Sequence, residues 1–327
     1  MSELAIAAFA AEAGVHLLGE PRSQKFERFR DAFDERVFLR ELTARGYRWL
    51  ARSDPSFPTR LRAIHDPPPG LFLRGAADLA LLEATSVAVV GAPTCSGYGS
   101  SVAFKLGREL AASGVVVVSG LARGVDASAH RGALEAGVTV AVLGCGIDRD
   151  YPRAHAALAE AIAQRGLVVS EYPPGVEPAP WRFPARNRIV SGLACATVVV
   201  EARERSGALI TADLALDEGR EVMAVPGEIT SHLSAGTNAL LRLGATPATS
   251  TSDVLAAIGV EPAGPVERVE LDAQLARVRD AVADAAATVN DVARATGLAA
   301  GDVAAALMEL ELLGVVKEVD GVYRVNA

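Results

Sequence analysis

The chain has 327 residues, half of them hydrophobic but only 5% aromatic, and a net charge of −8. That length suits one large domain plus a smaller one, and the acidity argues against a general nucleic-acid coat, so any polyanion site must be a local basic patch. Cys95, Cys145 and Cys195 lack metal-ligand spacing, no apolar run is long enough to span a membrane, and residues 1–12 carry no basic leader region; a cytoplasmic protein with no membrane contact, metal or cofactor is expected.

Residues 1–52 read as helical, with Leu4, Ala8 and Ala11 spaced for one face. Residues 53–85 hold Pro55, Pro58 and Pro67-Pro68-Pro69 and read as an extended, proline-rich connector. From 86 to 260 short apolar runs alternate with helical spacing. Strands are expected at 87–90, 115–118, 139–143, 167–170, 197–200 and 221–225. Helices are expected at 98–112, 127–136, 154–165, 186–192, 208–218 and 236–243. Such alternation means βαβ units: an α/β chain with an extended Rossmann-like parallel sheet, whose ligands bind beyond the carboxyl ends of the strands. Glu261-Pro262-Ala263-Gly264-Pro265 opens a linker over 261–270. Residues 271–327 then predict helices at 271–285, 289–296 and 301–313. A hairpin of 315–319 and 322–325 follows, turning at Asp320-Gly321, and completes a C-terminal winged-helix domain.

Glycine turns that open helices after strands recur in the middle of the chain. Such a turn presents free amides and the positive end of a helix dipole, a seat for phosphate. The first holds Ser96, Gly97, Tyr98 and Gly99, in neither a dinucleotide nor a P-loop spacing. The second runs from Ser119 and Gly120 through Arg123 and Gly124 to Asp126 and His130. Asp126 and His130 are four apart and suit a cap with a hydrogen-bonded histidine better than a catalytic dyad. The third segment, Trp181-Arg182-Phe183-Pro184-Ala185-Arg186-Asn187-Arg188, holds three arginines and two aromatics with no acid. Guanidinium forks suit phosphate oxygens and aromatic faces suit unstacked bases. Arg153, after Tyr151-Pro152, adds to the same edge. Ser206 and Gly207 open a fourth turn. No histidine cluster or nucleophile elbow is present. The helix placed to enter a DNA groove, 302–313, carries Asp302, Glu309 and Glu311 with no Lys or Arg, so the winged helix is expected to contact protein.

These motifs in order resemble the DNA-processing protein A (DprA, also Smf) family. The resemblance runs from 53 to 253. It rests on Asp54-Pro55-x-Phe57-Pro58, Asp66-Pro67-Pro68, Val89-Val90-Gly91, Tyr98-Gly99, Ser119 to His130 (SGLARGVDASAH), Tyr151-Pro152 and Ser170-Glu171-Tyr172-Pro173. Phe183-Pro184-x-Arg186-Asn187-Arg188, Ser206-Gly207-x-Leu209-Ile210-Thr211 and Val225-Pro226-Gly227 complete it. The resemblance implies a dimeric, non-enzymatic protein that binds single-stranded DNA, protects it during natural transformation or recombination, and loads the RecA recombinase. It implies DNA contacts near Arg153 and on Arg182, Phe183, Arg186 and Arg188; Asn187 and Arg123 join this candidate set. The chain departs from the family at Pro93, where an arginine is usual, and lacks a clear helix-hairpin-helix at its start. A second reading, a nucleotide hydrolase of the lysine-decarboxylase-like group, requires P-G-G-x-G-T, which Pro226-Gly227-Glu228 breaks.

Overall fold

A computed structural model describes residues 2–15, 23–261, 271–284, 287–319 and 321–325. The chain divides into two compact units, Met1–Pro262 and Ala263–Ala327. The linker expected at 261–270 lies, apart from Glu261, outside the described residues, as do Ala285 and the turn residue Asp320.

The first unit begins with helices α1 (Glu3–Ala13), α2 (Gln24–Ala32) and α3 (Glu35–Ala44). Each is opened by a side chain that accepts from a first-turn amide: Ser2 from Ala5, Ser23 from Phe26, Asp34 from Val37. Then the chain departs from expectation. Strand β1 (Arg48–Ala51), helix α4 (Thr59–Arg62) and strand β2 (Gly70–Arg74) occupy the stretch read as the end of a helical region and a connector. β2 pairs antiparallel with β1 on one side and with a strand of the main sheet on the other. The prolines stop just before β2, which leaves its amides free for the ladder.

Strands β3 (Ser86–Val90), β4 (Val116–Ser119), β5 (Thr139–Leu143), β6 (Leu167–Ser170), β7 (Ala196–Val199), β8 (Glu221–Ala224) and β9 (Thr246–Pro247) are parallel. Sheet order is β1-β2-β6-β5-β4-β3-β7-β8-β9. Between them run α5 (Gly97–Ala112), α6 (Val125–Ala136), α7 (Ala156–Arg165), α8 (Arg182–Leu193), α9 (Gly207–Asp217), α10 (Ala235–Arg242) and α11 (Thr251–Ala257). Alternate residues of β3 show why its strand reads as continuously apolar. Val87 and Val89 pack with Ala103 and Leu110 of α5 and Ala129 of α6, whereas Ala88 and Val90 pack with Ile189 and Val190 of α8 and Ala212 of α9. Both faces are covered, as parallel sheets require.

The second unit is a winged helix: α12 (Ala273–Asp284), α13 (Val289–Thr296), α14 (Ala300–Leu312) and an antiparallel hairpin of β10 (Val316–Val319) and β11 (Val322–Val325). Its own core holds Leu275, Val278, Val292, Val303, Leu307 and Leu310. Among the described residues no helix is long and apolar enough to cross a membrane.

Candidate nucleic-acid interface

From β3 the chain adds β4, β5 and β6 in one direction, then returns to place β7 on the other side of β3. Loops leaving β3 and β7 therefore diverge, which opens a crevice beyond the carboxyl ends of the strands. A cavity of about 540 Å³ lies there. Its walls come from Val90 at the end of β3 and Gly91 after it, Gly120 and Arg123 after β4, Tyr151 and Pro152 ahead of α7, and Gly207 and Thr211 of α9. Phe183, Arg186 and Asn187 of α8 close it.

The three arginines of the basic segment part company. Arg186 is buried; its guanidinium donates to the carbonyls of Gly120 (2.5 Å) and Val142, and its Nε donates to Asn187 Oδ1 (3.1 Å). Asn187 Nδ2 donates to the Gly207 carbonyl (3.2 Å), so one chain of hydrogen bonds ties α8 to the loop after β4, to β5 itself and to the start of α9. A Cβ at Gly120 would overlap the Arg186 guanidinium, which would have to move off its present carbonyl partners. Arg188 points elsewhere: it is buried, paired with Glu171 and with Asp66 (2.9 Å), and absent from the cavity wall. Arg182 is also buried, donates to the Glu177 carbonyl and lies over the rings of Tyr172 and Trp181. The acids missing from the segment itself are supplied by distant parts of the chain. Arg123 and Arg153 differ from these: both are exposed, and among the described residues neither guanidinium has a hydrogen bond or ion pair.

The expected phosphate seats are partly filled by the chain's own carboxylates. At the start of α5, Glu201 accepts from the Ser96 amide (2.8 Å) and from the Ser96 hydroxyl (2.5 Å), while Ser96 Oγ also accepts from the Gly99 amide (3.0 Å). Gly97 and Tyr98 complete that first turn, and Tyr98 donates to the Pro226 carbonyl (3.2 Å). An incoming phosphate would compete with an acid already in place. After β4, Ser119 donates to the Val89 carbonyl (2.6 Å), and Asp126 accepts from the Ala122 amide (3.2 Å). Gly124 opens α6 at a φ of 70°, a left-handed value that suits glycine. Ser206 caps α9 by accepting from the Ala208 amide (3.3 Å), beside Gly207 on the cavity wall.

Burial raises the Asp126 carboxyl above its usual range, and Arg186, the Ala122 amide, Ser119 and Gly120 pull against it. Burial also lowers Arg186. His130 does not face Asp126; its Nδ1 meets the Thr139 hydroxyl at 2.8 Å. Burial, helped by the charge on Arg186, lowers His130 to about 3 from the ordinary 6.5. The folded state then keeps His130 neutral at pH values where the unfolded chain protonates it. Its contribution is complete above pH 6.5 and is lost as pH falls toward 3, at up to about 1.4 kcal/mol per pH unit. Denaturant unfolding at pH 7, 5.5 and 4 is expected to show this slope, and His130→Gln to reduce it. Equal slopes in the two proteins would show that His130 protonates freely in the fold.

Among the lining side chains outside the candidate set read from the sequence are Tyr151, Asp126 and Thr211. Tyr151 stacks on Phe183, with ring centroids 5.2 Å apart and planes at 28°, and is 45% exposed. In the sequence it stands as the aromatic of the Tyr151-Pro152 motif. No group of three or more His, Cys, Asp or Glu among the described residues is placed to hold a metal ion.

Comparison with known proteins bears on the family and the fold. The family model described as DNA recombination-mediator protein A matches residues 48–259, and that of the DprA winged helix domain matches 242–321. The DNA processing protein DprA of Streptococcus pneumoniae is 46% identical over 204 residues, 62% of this chain and 71% of that protein. The putative DprA of Mycobacterium tuberculosis is 41% identical over 308 residues, 88% of this chain and 79% of that protein. Among solved structures, DNA processing protein A from S. pneumoniae superimposes with a TM-score of 0.67 at 37% identity, covering 78% of this chain and 92% of that one. DNA processing protein A from Helicobacter pylori, whose structure was described for its single-stranded DNA binding mode, gives 0.59 at 32% identity, covering 64% and 94%. With one family model matched over residues 48–259, the winged-helix model over 242–321 and a relative 41% identical over 88% of this chain, the chain belongs to the DNA recombination-mediator protein A family.

Proposed function

We propose that the chain binds single-stranded DNA along the carboxyl edge of its parallel sheet, protects it, and hands it to the RecA recombinase during natural transformation or recombination, acting as a homodimer and without catalysis of its own. The observation that carries this reading is the cavity at the β3/β7 switch point. There the exposed Tyr151, stacked on the half-buried Phe183, lines the same cavity as the unpaired guanidinium of Arg123, with that of Arg153 two residues after Tyr151. Aromatic faces accept any base, and free guanidinium groups neutralise phosphates, so the expected binding is sequence-tolerant and salt-sensitive. Arg186 shapes the wall in this reading, since its donors already serve Gly120 and Val142.

The test is fluorescence anisotropy of labelled single- and double-stranded oligonucleotides over a salt series. Preference for the single strand is expected, with affinity falling as salt rises. Arg123→Ala with Arg153→Ala should make the log–log salt slope shallower by about 1.4, at about 0.7 per phosphate contact on single strands. An unchanged slope would remove both residues from the interface. Absence of binding at low salt, with release of ribose phosphate from a nucleoside monophosphate, would replace this reading by the nucleotide-hydrolase one.

A further inference from the structure

Helix α14 is apolar on two opposite sides. Val303, Ala306, Leu307 and Leu310 are buried in the winged-helix core. With successive residues turned by about 100°, Gly301, Ala305, Met308 and Leu312 fall together on the other side. All four are exposed, Met308 at 65% and Leu312 at 84%. Their spacing of four, three and four residues is that of a coiled-coil seam. A single exposed leucine needs no explanation, but an ordered apolar row along three turns does.

The borders of this row say what suits it. Asp302 and Glu309 flank one side and Glu311 the other, and the helix contains no Lys or Arg. Glu311 accepts from the Glu318 amide of the wing (3.3 Å), which holds that border in place. DNA phosphates are repelled by three carboxylates on the helix that would enter a groove. A second copy of α14 laid along the first would set acid against acid in either orientation. The complementary occupant is cationic at its borders and apolar along its middle.

We infer that this face docks an amphipathic helix of a partner protein, one whose apolar seam of about two heptads is bordered by Lys and Arg. The winged helix then serves as a protein-docking module, independent of the cavity in the first unit. Apolar interdigitation at Met308 and Leu312 supplies the contact, and the acidic borders select the sign of the partner's charge.

The test uses the full chain and two labelled helical peptides with the same leucine seam, one bordered by Lys and Arg and the other by Glu. Anisotropy should report binding of the basic peptide, weakened by salt, and none of the acidic one. Met308→Ser with Leu312→Ser should weaken the basic peptide by about tenfold or more while single-stranded DNA binding is unchanged. Both side chains are exposed, so the core is left intact. Glu309→Lys with Glu311→Lys should exchange the preference between peptides. Equal binding of both peptides, binding of neither, or full affinity in the serine variant would overturn the inference. So would a changed sedimentation coefficient of the serine variant alone, which would make a second copy the occupant.

Discussion

Arg188→Ala should lower the stability of the first unit by about 3–5 kcal/mol, the usual effect of stranding the partners of a buried ion pair. Arg188 is 8% exposed, and two carboxylates, Glu171 and Asp66, converge on it from different parts of the chain. Removing the guanidinium leaves two carboxylates of like charge without the cation that now joins them in a largely buried site. Against a total of about 5–15 kcal/mol for an ordinary domain, that is a large share. Both tryptophans of the chain, Trp49 and Trp181, lie in this unit, so urea unfolding followed by tryptophan fluorescence reports it directly. DNA affinity of the folded protein should be little changed, because Arg188 is not on the cavity wall. A variant as stable as the parent but weaker for DNA would reverse this assignment and return Arg188 to the interface.

Tyr151→Ala with Phe183→Ala should weaken single-stranded DNA by about 10- to 100-fold, since a base–aromatic stack contributes about 1–3 kcal/mol. The salt slope should stay as it was, because no charge is removed. That separates the aromatic pair from Arg123 and Arg153, whose removal should change the slope. Tyr151 is exposed and Phe183 half-buried, so the cost to the fold is small compared with a core deletion. Unchanged affinity would mean that bases do not stack at this mouth, and the cavity would have to be read as a small-molecule site.

The structure thus divides the basic segment by task. Arg182 and Arg188 hold α8 and the segment before it to their neighbours, Arg186 builds the cavity wall, and Arg123 and Arg153 keep free charge. Segment composition cannot make that division, because all five residues carry the same group.

What the sequence determined by itself was everything written in local pattern. The strands Thr139–Leu143 and Leu167–Ser170 and the helix Val289–Thr296 have the bounds their residues predict. Ser96 and Ser206 cap their helices as their positions require. These follow from periodicity and capping, which act over a few residues. The tertiary structure alone decided the rest. Arg48–Ala51 and Gly70–Arg74 are strands because β6 offers an open edge to the second and the second to the first; neither segment is long enough to announce itself. Glu201 fills the turn before α5 from more than a hundred residues away, and Asp66 reaches Arg188 across a similar separation, joined there by Glu171 from just after the end of β6. A charge is free or spent according to which other charges the fold brings within a few ångströms, and only the packed chain fixes that.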